Sequence, residues 1–338
     1  MNGESPAPIV AARNVGIHFP IARHQVLKAV DGVSLEVHRG ETFGIIGESG
    51  SGKTTLGRAL VCLERPAAGE VLHEGMDPHR LSARALRQHR RNYQVVFQDP
   101  NAALDPRMTI LSSVREPLDV GGGLPRAERQ RLAAGMLERV GLGPEFHGRY
   151  PHELSGGQKQ RVCIARVLTL RPSLIVCDEA VAALDVSIQA DILNLLAELQ
   201  REFGLTYVFI THNLSVVAHV SDRIAVMYLG RVVELAEAGR IQARPLHPYT
   251  QALLSAEPVA LPSPLRSKDR IILQGDLPSP ISPPSGCRFR TRCPCAQPRC
   301  AEAEPEWREI EPGHFAACHF AGTATVRGQA AASGDDAP

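Results

Sequence analysis

The clearest chemistry in the sequence lies in the eight residues Gly47–Thr54, which follow the spacing G-x-x-x-x-G-K-[ST]. Glycines in such a loop let the backbone curl so that several N–H groups point at phosphate oxygens, and a following helix adds the positive end of its dipole. Lys53 supplies a positive charge for β- and γ-phosphates, and the Thr54 hydroxyl is a ligand for Mg²⁺. Because the loop lies between a strand-like run and a helix-like run, we predict a nucleotide phosphate site here.

Two acidic residues, Asp178 and Glu179, end an apolar strand-like run that begins at Leu174. A carboxylate at a strand end beside a phosphate loop is suited to hold Mg²⁺, directly or through water, and we assign this role to Asp178. Glu179 follows by one residue, where it is suited to polarise an attacking water as general base. The pair predicts hydrolysis of the bound nucleotide.

A second candidate phosphate device comprises Ser155, Gly156, Gly157 and Gln158, which come directly before a helix-like run. A hydroxyl, free backbone N–H groups and a helix N-terminus together favour an anion. An ordinary capped helix would not need two glycines followed by a glutamine. We therefore expect this segment to contact phosphate as well.

With these segments in this order, the sequence resembles the ATP-binding cassette family. Leu154–Gln158 matches the signature motif of that family, and Gly47–Thr54 and Leu174–Glu179 match its two Walker motifs. Three further motifs follow the family order, and an aromatic residue stands where one usually stacks on adenine. They are the Q-loop residue Gln98, the D-loop residue Asp185 in Ala183-Leu184-Asp185, the switch histidine His212 and the aromatic Phe19.

The resemblance implies a role for each matching residue. The catalytic residues would be Glu179 and His212. The ATP-binding residues would be Phe19, Gly47, Glu48, Ser49, Gly50, Ser51, Gly52, Lys53, Thr54, Thr55, Gln98 and Asp178. The Mg²⁺ ligands would be Thr54, Gln98 and Asp178. The residues that contact ATP held by a partner would be Ser155, Gly156, Gly157, Gln158 and Asp185.

In this family two cassettes pair head to tail, so that the Ser155 segment of one closes over ATP held by the Gly47–Thr54 loop of the other. We expect hydrolysis to release the closed pair and a single cassette to hydrolyse ATP poorly. Two positions depart from the usual pattern, because Ala180 replaces a proline and Ala182 replaces a serine. The lost hydroxyl removes a possible hydrogen bond across the pair, which questions whether both sites act at full strength.

The C-terminal region narrows the resemblance to ATPases of peptide and nickel importers. His247-Pro248-Tyr249-Thr250 and the run from Gly286 to Cys293 are typical of that group. The resemblance implies an ATPase that energises import of peptides at the cytoplasmic face of the bacterial inner membrane. Its partners would be a second ATPase subunit, in a heterodimer or alternatively a homodimer, two transmembrane permease subunits and, indirectly, a periplasmic solute-binding protein. Dipeptides, longer peptides, glutathione and nickel complexes all remain open as cargo.

Five of the eight cysteines crowd the C-terminal region. Four of them, Cys287, Cys293, Cys300 and Cys318, have the spacing C-x5-C-x6-C-x17-C, which suits a [4Fe–4S] cluster or tetrahedral zinc. The resemblance favours the cluster, because related importer ATPases carry one here. Four packed cysteines without metal are the third alternative.

The elements that must position these residues predict an α/β fold. Short apolar runs at Thr42–Ile46, Tyr93–Phe97, Leu174–Cys177 and Tyr207–Thr211 alternate with helix-like runs, which is typical of a parallel sheet. The resemblance specifies a P-loop NTPase (RecA-like) nucleotide-binding domain with an antiparallel β subdomain and a helical signature subdomain. The expected divisions are an ATP-binding domain at 9–250 with its helical part at about 100–168, a Cys-rich region at 251–320 and a disordered tail at 321–338.

Composition argues against other classes. The chain has 37 basic and 36 acidic residues, so it lacks the basic excess typical of a nucleic-acid binder. We find neither a secretory signal nor an apolar run that would span a bilayer. A cassette ATPase of DNA repair or translation would usually carry coiled-coil insertions, zinc modules or a second cassette. An exporter would usually lack the His247–Thr250 motif and the cysteine-rich tail.

Overall fold

The computed structural model describes residues 7–22, 25–182, 184–256, 271–324 and 326 of the 338-residue chain. The strands are β1 (Val10–Ala22), β2 (Gln25–Val37), β3 (Thr42–Ile46), β4 (Ala68–His73), β5 (Tyr93–Val96), β6 (Leu174–Asp178), β7 (Thr206–Thr211), β8 (Arg223–Tyr228), β9 (Arg231–Glu237), β10 (Arg308–Glu311) and β11 (His314–Ala316). The helices are α1 (Lys53–Leu60), α2 (Ala83–His89), α3 (Pro100–Ala103), α4 (Ile110–Gly121), α5 (Arg126–Arg139), α6 (Gly156–Leu168), α7 (Val186–Phe203), α8 (Leu214–Val220), α9 (Ala238–Ala243), α10 (Pro248–Ala256) and α11 (Arg299–Glu302).

Two compact units make up the fold. The first contains the described residues among 1–13, 34–42 and 54–211, and the second contains those among 14–33, 43–53 and 212–338. Separately, β2, β1 and β4 form a three-stranded sheet in that order.

The first unit contains a parallel sheet and the helical part of the domain. β5 pairs with β6, and β6 pairs with β7, with Val96 opposite Cys177 and Cys177 opposite Phe209. All residues of β6 and β7 are buried, as expected for strands covered on both faces. Helices α4, α5 and α6 pack together beside this sheet. Because parallel strands end at one edge, the acids after β6 lie where a βα site is expected.

The second unit places the phosphate loop beside an otherwise antiparallel set of strands. β3 pairs in parallel with β8, and β8 pairs antiparallel with β9. The C-terminal hairpin of β10 and β11 continues this sheet, since β11 pairs antiparallel with β9. Gly44 is required on β3, because a Cβ there would lie 2.4 Å from Val217 Cγ1 on α8.

The architecture confirms the predicted P-loop fold. The strand predicted at Thr42–Ile46 is β3. The predicted Cys-rich region includes residues 257–270, which lie outside the described part. Of the tail predicted to be disordered, residues 325 and 327–338 also lie outside it. Gln251 on α10 bonds at 2.9 Å to both Ala324 O and Val326 N.

Candidate functional site

The phosphate loop is a tight curl in the second unit. Gly47, Gly50 and Gly52 have φ angles of 154°, 78° and 99°, a region that favours glycine. A Cβ on Gly47 would lie 2.2 Å from Met227 O, and one on Gly52 would lie 2.1 Å from Ala29 O. The Lys53 ammonium donates to Gly47 O at 2.8 Å and to Glu48 O at 2.9 Å. The loop therefore holds its cation inside its own curl, where phosphate oxygens are predicted to bind.

The remaining loop residues differ in exposure. Ser51 is buried, Ser49 is exposed, and Thr55 is half-buried at the start of α1. Gly57 lets α1 approach the parallel sheet of the first unit, since a Cβ there would lie 2.4 Å from Ile210 Cδ1 and 3.1 Å from Val176 Cγ1. This close packing directs the beginning of α1 toward the strand that carries the acidic pair.

The predicted Mg²⁺ ligands Thr54 and Asp178 are brought together in the first unit. The Thr54 hydroxyl donates to Asp178 Oδ1 at 3.0 Å. Asp178 is buried at the last position of β6. A hydroxyl and a carboxylate at this separation are the oxygen ligands that Mg²⁺ uses beside phosphates.

Glu179 follows in an unusual backbone conformation. Its φ of 48° lies in the left-handed region, which is costly for a residue with a side chain. Its N–H donates to Ile210 O at 2.8 Å, and its carbonyl accepts from Ala182 N at 3.0 Å. Ala180 is buried and Ala182 is half-buried. These two backbone hydrogen bonds fix the backbone position from which the Glu179 side chain extends.

Three further predicted residues lie at the ends of strands or on their surfaces. Gln98 is exposed between β5 and α3 in the first unit, and His212 is exposed directly after β7. Phe19 is 36% exposed on β1, so its ring is not part of the core. This exposure leaves a face of the ring accessible for stacking.

The signature segment forms the N-terminus of α6. The Ser155 hydroxyl accepts from Gln158 N at 3.3 Å, and Gln158 Oε1 accepts from Ser155 N at 2.9 Å, which is a reciprocal capping box. Gly157 has a packing reason that the sequence did not indicate, because a Cβ there would lie 2.6 Å from Ile188 Cγ2. Gly156 is exposed, as is Asp185 at the start of α7. Ala183 lies outside the described residues.

The metal prediction for the C-terminal cysteines is wrong. Among the described residues, no group of three or more His, Cys, Asp and Glu side chains is placed to hold a metal ion. The cavity between the cysteines measures about 10 Å³, roughly room for one water molecule. Burial raises the pKa of Cys293 to about 12 and that of Cys318 to about 11. Neither the [4Fe–4S] cluster nor the alternative zinc site is supported.

Packing and ion pairs organise this segment instead. Phe289 is buried against Tyr228 and Tyr249, with ring centroids 5.2 and 5.4 Å away. The Cys287 N–H donates to Cys300 O at 2.8 Å. The aromatic partners of Phe289 lie far from it in the sequence.

Sequence reasoning also missed what the C-terminal arginines contact. The Arg292 guanidinium donates to both carboxylate oxygens of Glu48 in the phosphate loop, at 2.7 and 3.1 Å. This hydrogen bond raises the pKa of Arg292 above its ordinary value. Arg288 pairs with Asp31. The family-like motif around Arg292 marked the segment, but nothing in the pattern named its partner.

The part of the chain that the structure describes also bears on membrane association. None of its helices combines the length and the apolar composition needed to cross a bilayer.

Comparisons with known proteins agree with this architecture. Residues 30–182 match the family model of the ABC transporter, and residues 233–300 match that of the oligopeptide/dipeptide transporter C-terminal region. The putative oligopeptide transport ATP-binding protein YkfD of Bacillus subtilis is 50% identical, with 93% of this chain and 95% of that protein covered. The oligopeptide transport ATP-binding protein AppF of the same organism is 51% identical over 95% of this chain and 99% of that protein.

Solved structures give the same result. The dimeric ATP-binding cassette MJ0796 in a post-hydrolysis state bound to ADP and Pi has a TM-score of 0.62 and 34% identity, with 68% of this chain and 98% of that chain covered. Another dimeric structure of MJ0796, a bacterial ABC transporter cassette, has a TM-score of 0.62 and 33% identity over the same shares. The chain therefore belongs to the ATP-binding cassette transporter family, in its oligopeptide and dipeptide transporter branch, and it hydrolyses ATP.

Proposed function

We propose that this chain supplies the energy for peptide import through a membrane transporter. The observation that carries the proposal is the joint presence of an ATP-hydrolysing cassette and a C-terminal region of the oligopeptide/dipeptide transporter type in one chain. Relatives with about half of their residues identical are named oligopeptide or peptide import ATP-binding proteins. The cassette does not contact cargo, so the proposal names peptides as the class and no particular length.

Separate groups of residues bind the phosphates, the adenine and the Mg²⁺ in the proposed reaction. The N–H groups of Gly47–Thr54 and the Lys53 ammonium bind the phosphates, and Phe19 stacks on adenine. Thr54 and Asp178, with Gln98 as a further ligand, would hold Mg²⁺, which would neutralise charge on the phosphates. The hydroxyl and carboxylate oxygens of the first two lie 3.0 Å apart, which supports this pairing.

Glu179 and His212 complete the proposed chemistry. The Glu179 carboxylate accepts a proton from the attacking water, and His212 contacts the γ-phosphate. The fixed backbone at Glu179 supports the first role, since its N–H is tied to Ile210 O at 2.8 Å.

The active form is a pair of cassettes. Ser155, Gly156, Gly157, Gln158 and Asp185 contact ATP held by the partner. The exposure of Ser155, Gly156 and Asp185 in this chain supports the proposal, because residues that close over a partner's ligand must lie on the surface. Ala182 supplies no hydroxyl to such a contact, which favours an unequal pair formed with a different ATPase subunit.

A groove in the first unit supports contact with a permease subunit. It has a volume of about 650 Å³, and its lining includes Phe97, the residue that precedes Gln98 in the sequence. Val95, Phe97 and Val120 give it apolar lining. Arginines surround them, namely Arg84, Arg87, Arg90, Arg91 and Arg166. An amphipathic permease helix with acidic residues fits this combination.

The proposed site of action is the cytoplasmic face of the inner membrane, where two permease subunits would bind the chain. A periplasmic solute-binding protein delivers peptide from the other side. The test is uptake of a labelled peptide into proteoliposomes that contain the complete transporter and ATP. We expect uptake with the wild-type chain and none with Lys53→Ala. Equal uptake with both chains would refute the proposal.

A further inference from the structure

We propose that the C-terminal segment positions the phosphate loop through Arg292 and Tyr249, and that these two residues set the affinity for ATP. The proposal rests on the assignment of Gly47–Thr54 as the site of the ATP phosphates. All the contacts that carry it lie within the second unit. Neither residue would touch the nucleotide, so each is a positioning residue.

The first contact is the ion pair between Arg292 and Glu48. Both guanidinium Nη atoms donate to the carboxylate, and the Arg292 side chain is only 10% exposed. Glu48 is the second residue of a loop that must accept highly charged phosphates, so an unpaired carboxylate there would repel them. A bidentate, largely buried ion pair neutralises this charge and fixes the orientation of the Glu48 carboxylate.

The second contact fixes the backbone of the same residue. The Glu48 N–H donates to the Tyr249 hydroxyl at 2.8 Å. Tyr249 is fully buried, and its ring lies 4.8 Å from that of Tyr228 and 5.4 Å from that of Phe289. Phe289 precedes Arg292 by three residues, and Arg292 N donates to its carbonyl at 3.0 Å. One aromatic cluster therefore anchors both groups that hold Glu48.

The third contact reaches the other side of the loop. Arg288 donates to Leu229 O at 2.5 Å, and the next residue, Gly230, donates its N–H to Ser51 O at 2.9 Å. The C-terminal segment thus braces the loop at Glu48 directly and at Ser51 through one backbone step. Bracing at two points fixes the directions of the intervening N–H groups before the phosphates arrive, which reduces the entropic cost of binding.

These contacts are expected to affect the binding of ATP and not the chemical step. The proposed Mg²⁺ ligand Asp178 and the proposed base Glu179 belong to the first unit and take no part in these contacts. Loss of the ion pair is therefore expected to raise the Kd and KM for ATP and to leave kcat at saturating ATP unchanged. A merely structural role in the C-terminal segment would lower the melting temperature without this division.

The test compares four variants with the wild type, by measuring the Kd of a fluorescent ATP analogue in the presence of Mg²⁺. We expect Arg292→Gln to raise the Kd about tenfold, because it leaves the Glu48 charge unpaired beside the phosphates. Adding Glu48→Gln to that variant is expected to restore most of the affinity, since both charges are then gone. Arg292→Lys should fall between wild type and Arg292→Gln. Arg290→Gln is the matched control, because the Arg290 side chain bonds only to Ser285 among the hydrogen bonds described.

Two results would overturn the proposal. One is a folded Arg292→Gln variant with wild-type affinity, and the other is a double variant that binds as weakly as Arg292→Gln alone. If Arg292→Gln does not fold, Tyr249→Phe replaces it, because it removes only the acceptor of the Glu48 N–H; unchanged affinity there also overturns the proposal. Lys53→Ala tests the phosphate site separately from its positioning by the C-terminal segment, since retained ATP binding in that variant would refute the phosphate site itself.

Discussion

The Thr54 hydroxyl donates to Asp178 Oδ1 at 3.0 Å, although 124 residues separate them in the chain. The contact joins the first turn of α1 to the end of β6 and is the geometric core of the proposed Mg²⁺ site. Gly57 permits it, because any side chain at that position would collide with Ile210 and Val176. The sequence placed these groups in separate motifs, and the packing of α1 on the sheet brings them together.

The first prediction concerns this pair. Asp178→Asn keeps the shape of the side chain and removes its negative charge, so we expect Mg²⁺-dependent ATP hydrolysis to fall at least a hundredfold. Hydrolysis measured against Mg²⁺ concentration checks this. Thr54→Ser retains the hydroxyl and is the control, with activity expected within a few-fold of wild type. Asp178→Asn with an unchanged Mg²⁺ dependence would contradict the assignment.

The second prediction concerns the proposed base. Glu179→Gln is expected to bind ATP with wild-type affinity while turnover falls by about 10²- to 10⁴-fold, because the amide cannot accept the proton of the attacking water. Unhydrolysed ATP should then hold two cassettes together, which size-exclusion chromatography with ATP would detect. Glu198→Gln, on the exposed face of α7, is the control. Undiminished turnover in Glu179→Gln would show that another group is the base.

The third prediction separates packing from anion binding at the signature segment. Gly157→Ala introduces a Cβ 2.6 Å from Ile188 Cγ2, so we expect the free energy of unfolding to fall by about 1–3 kcal/mol. Gly135→Ala in α5 has open space around the new methyl group and should stabilise the chain by about 0.5–1 kcal/mol. Urea denaturation measures both. Equal stability of the two variants would mean that α6 and α7 are not packed as described.

The fourth prediction concerns pH. Burial lowers the pKa of His247 to about 4, against about 6.5 for an unfolded histidine, and its neutral Nδ1 accepts from Tyr249 N at 3.0 Å. As the pH falls below 6.5, the unfolded state binds a proton that the folded state does not. This residue therefore contributes stability above pH 6.5, and that stability is lost toward pH 4 at about 1.4 kcal/mol per pH unit.

His247→Asn isolates this effect, because asparagine keeps an acceptor for the Tyr249 N–H and does not titrate. We expect its free energy of unfolding to fall less steeply than that of the wild type between pH 6 and pH 4.5, as measured by denaturant titration at each pH. Identical slopes would show that His247 is protonated in the folded chain.

Local features were predictable from the sequence, and long-range pairs were not. The run Thr42–Ile46 is β3 because its five residues suit a fully buried strand that is followed by a glycine turn. The ion pair of Glu48 with Arg292 spans 244 residues, and no periodicity or spacing could indicate it. The cysteine spacing led to the wrong prediction of a metal site. The contacts of Phe289 and the adjacent arginines that organise this segment come from distant parts of the chain, which the spacing could not indicate.

The most direct test of the account is the coupling of ATP hydrolysis to peptide. The complete transporter is reconstituted in proteoliposomes, and its ATP turnover is measured with the solute-binding protein either empty or loaded with peptide. The account predicts that turnover rises several-fold with the loaded protein and that Glu179→Gln abolishes both the basal and the stimulated rate. Hydrolysis at one rate with empty and loaded protein would contradict the claim that this chain energises peptide import.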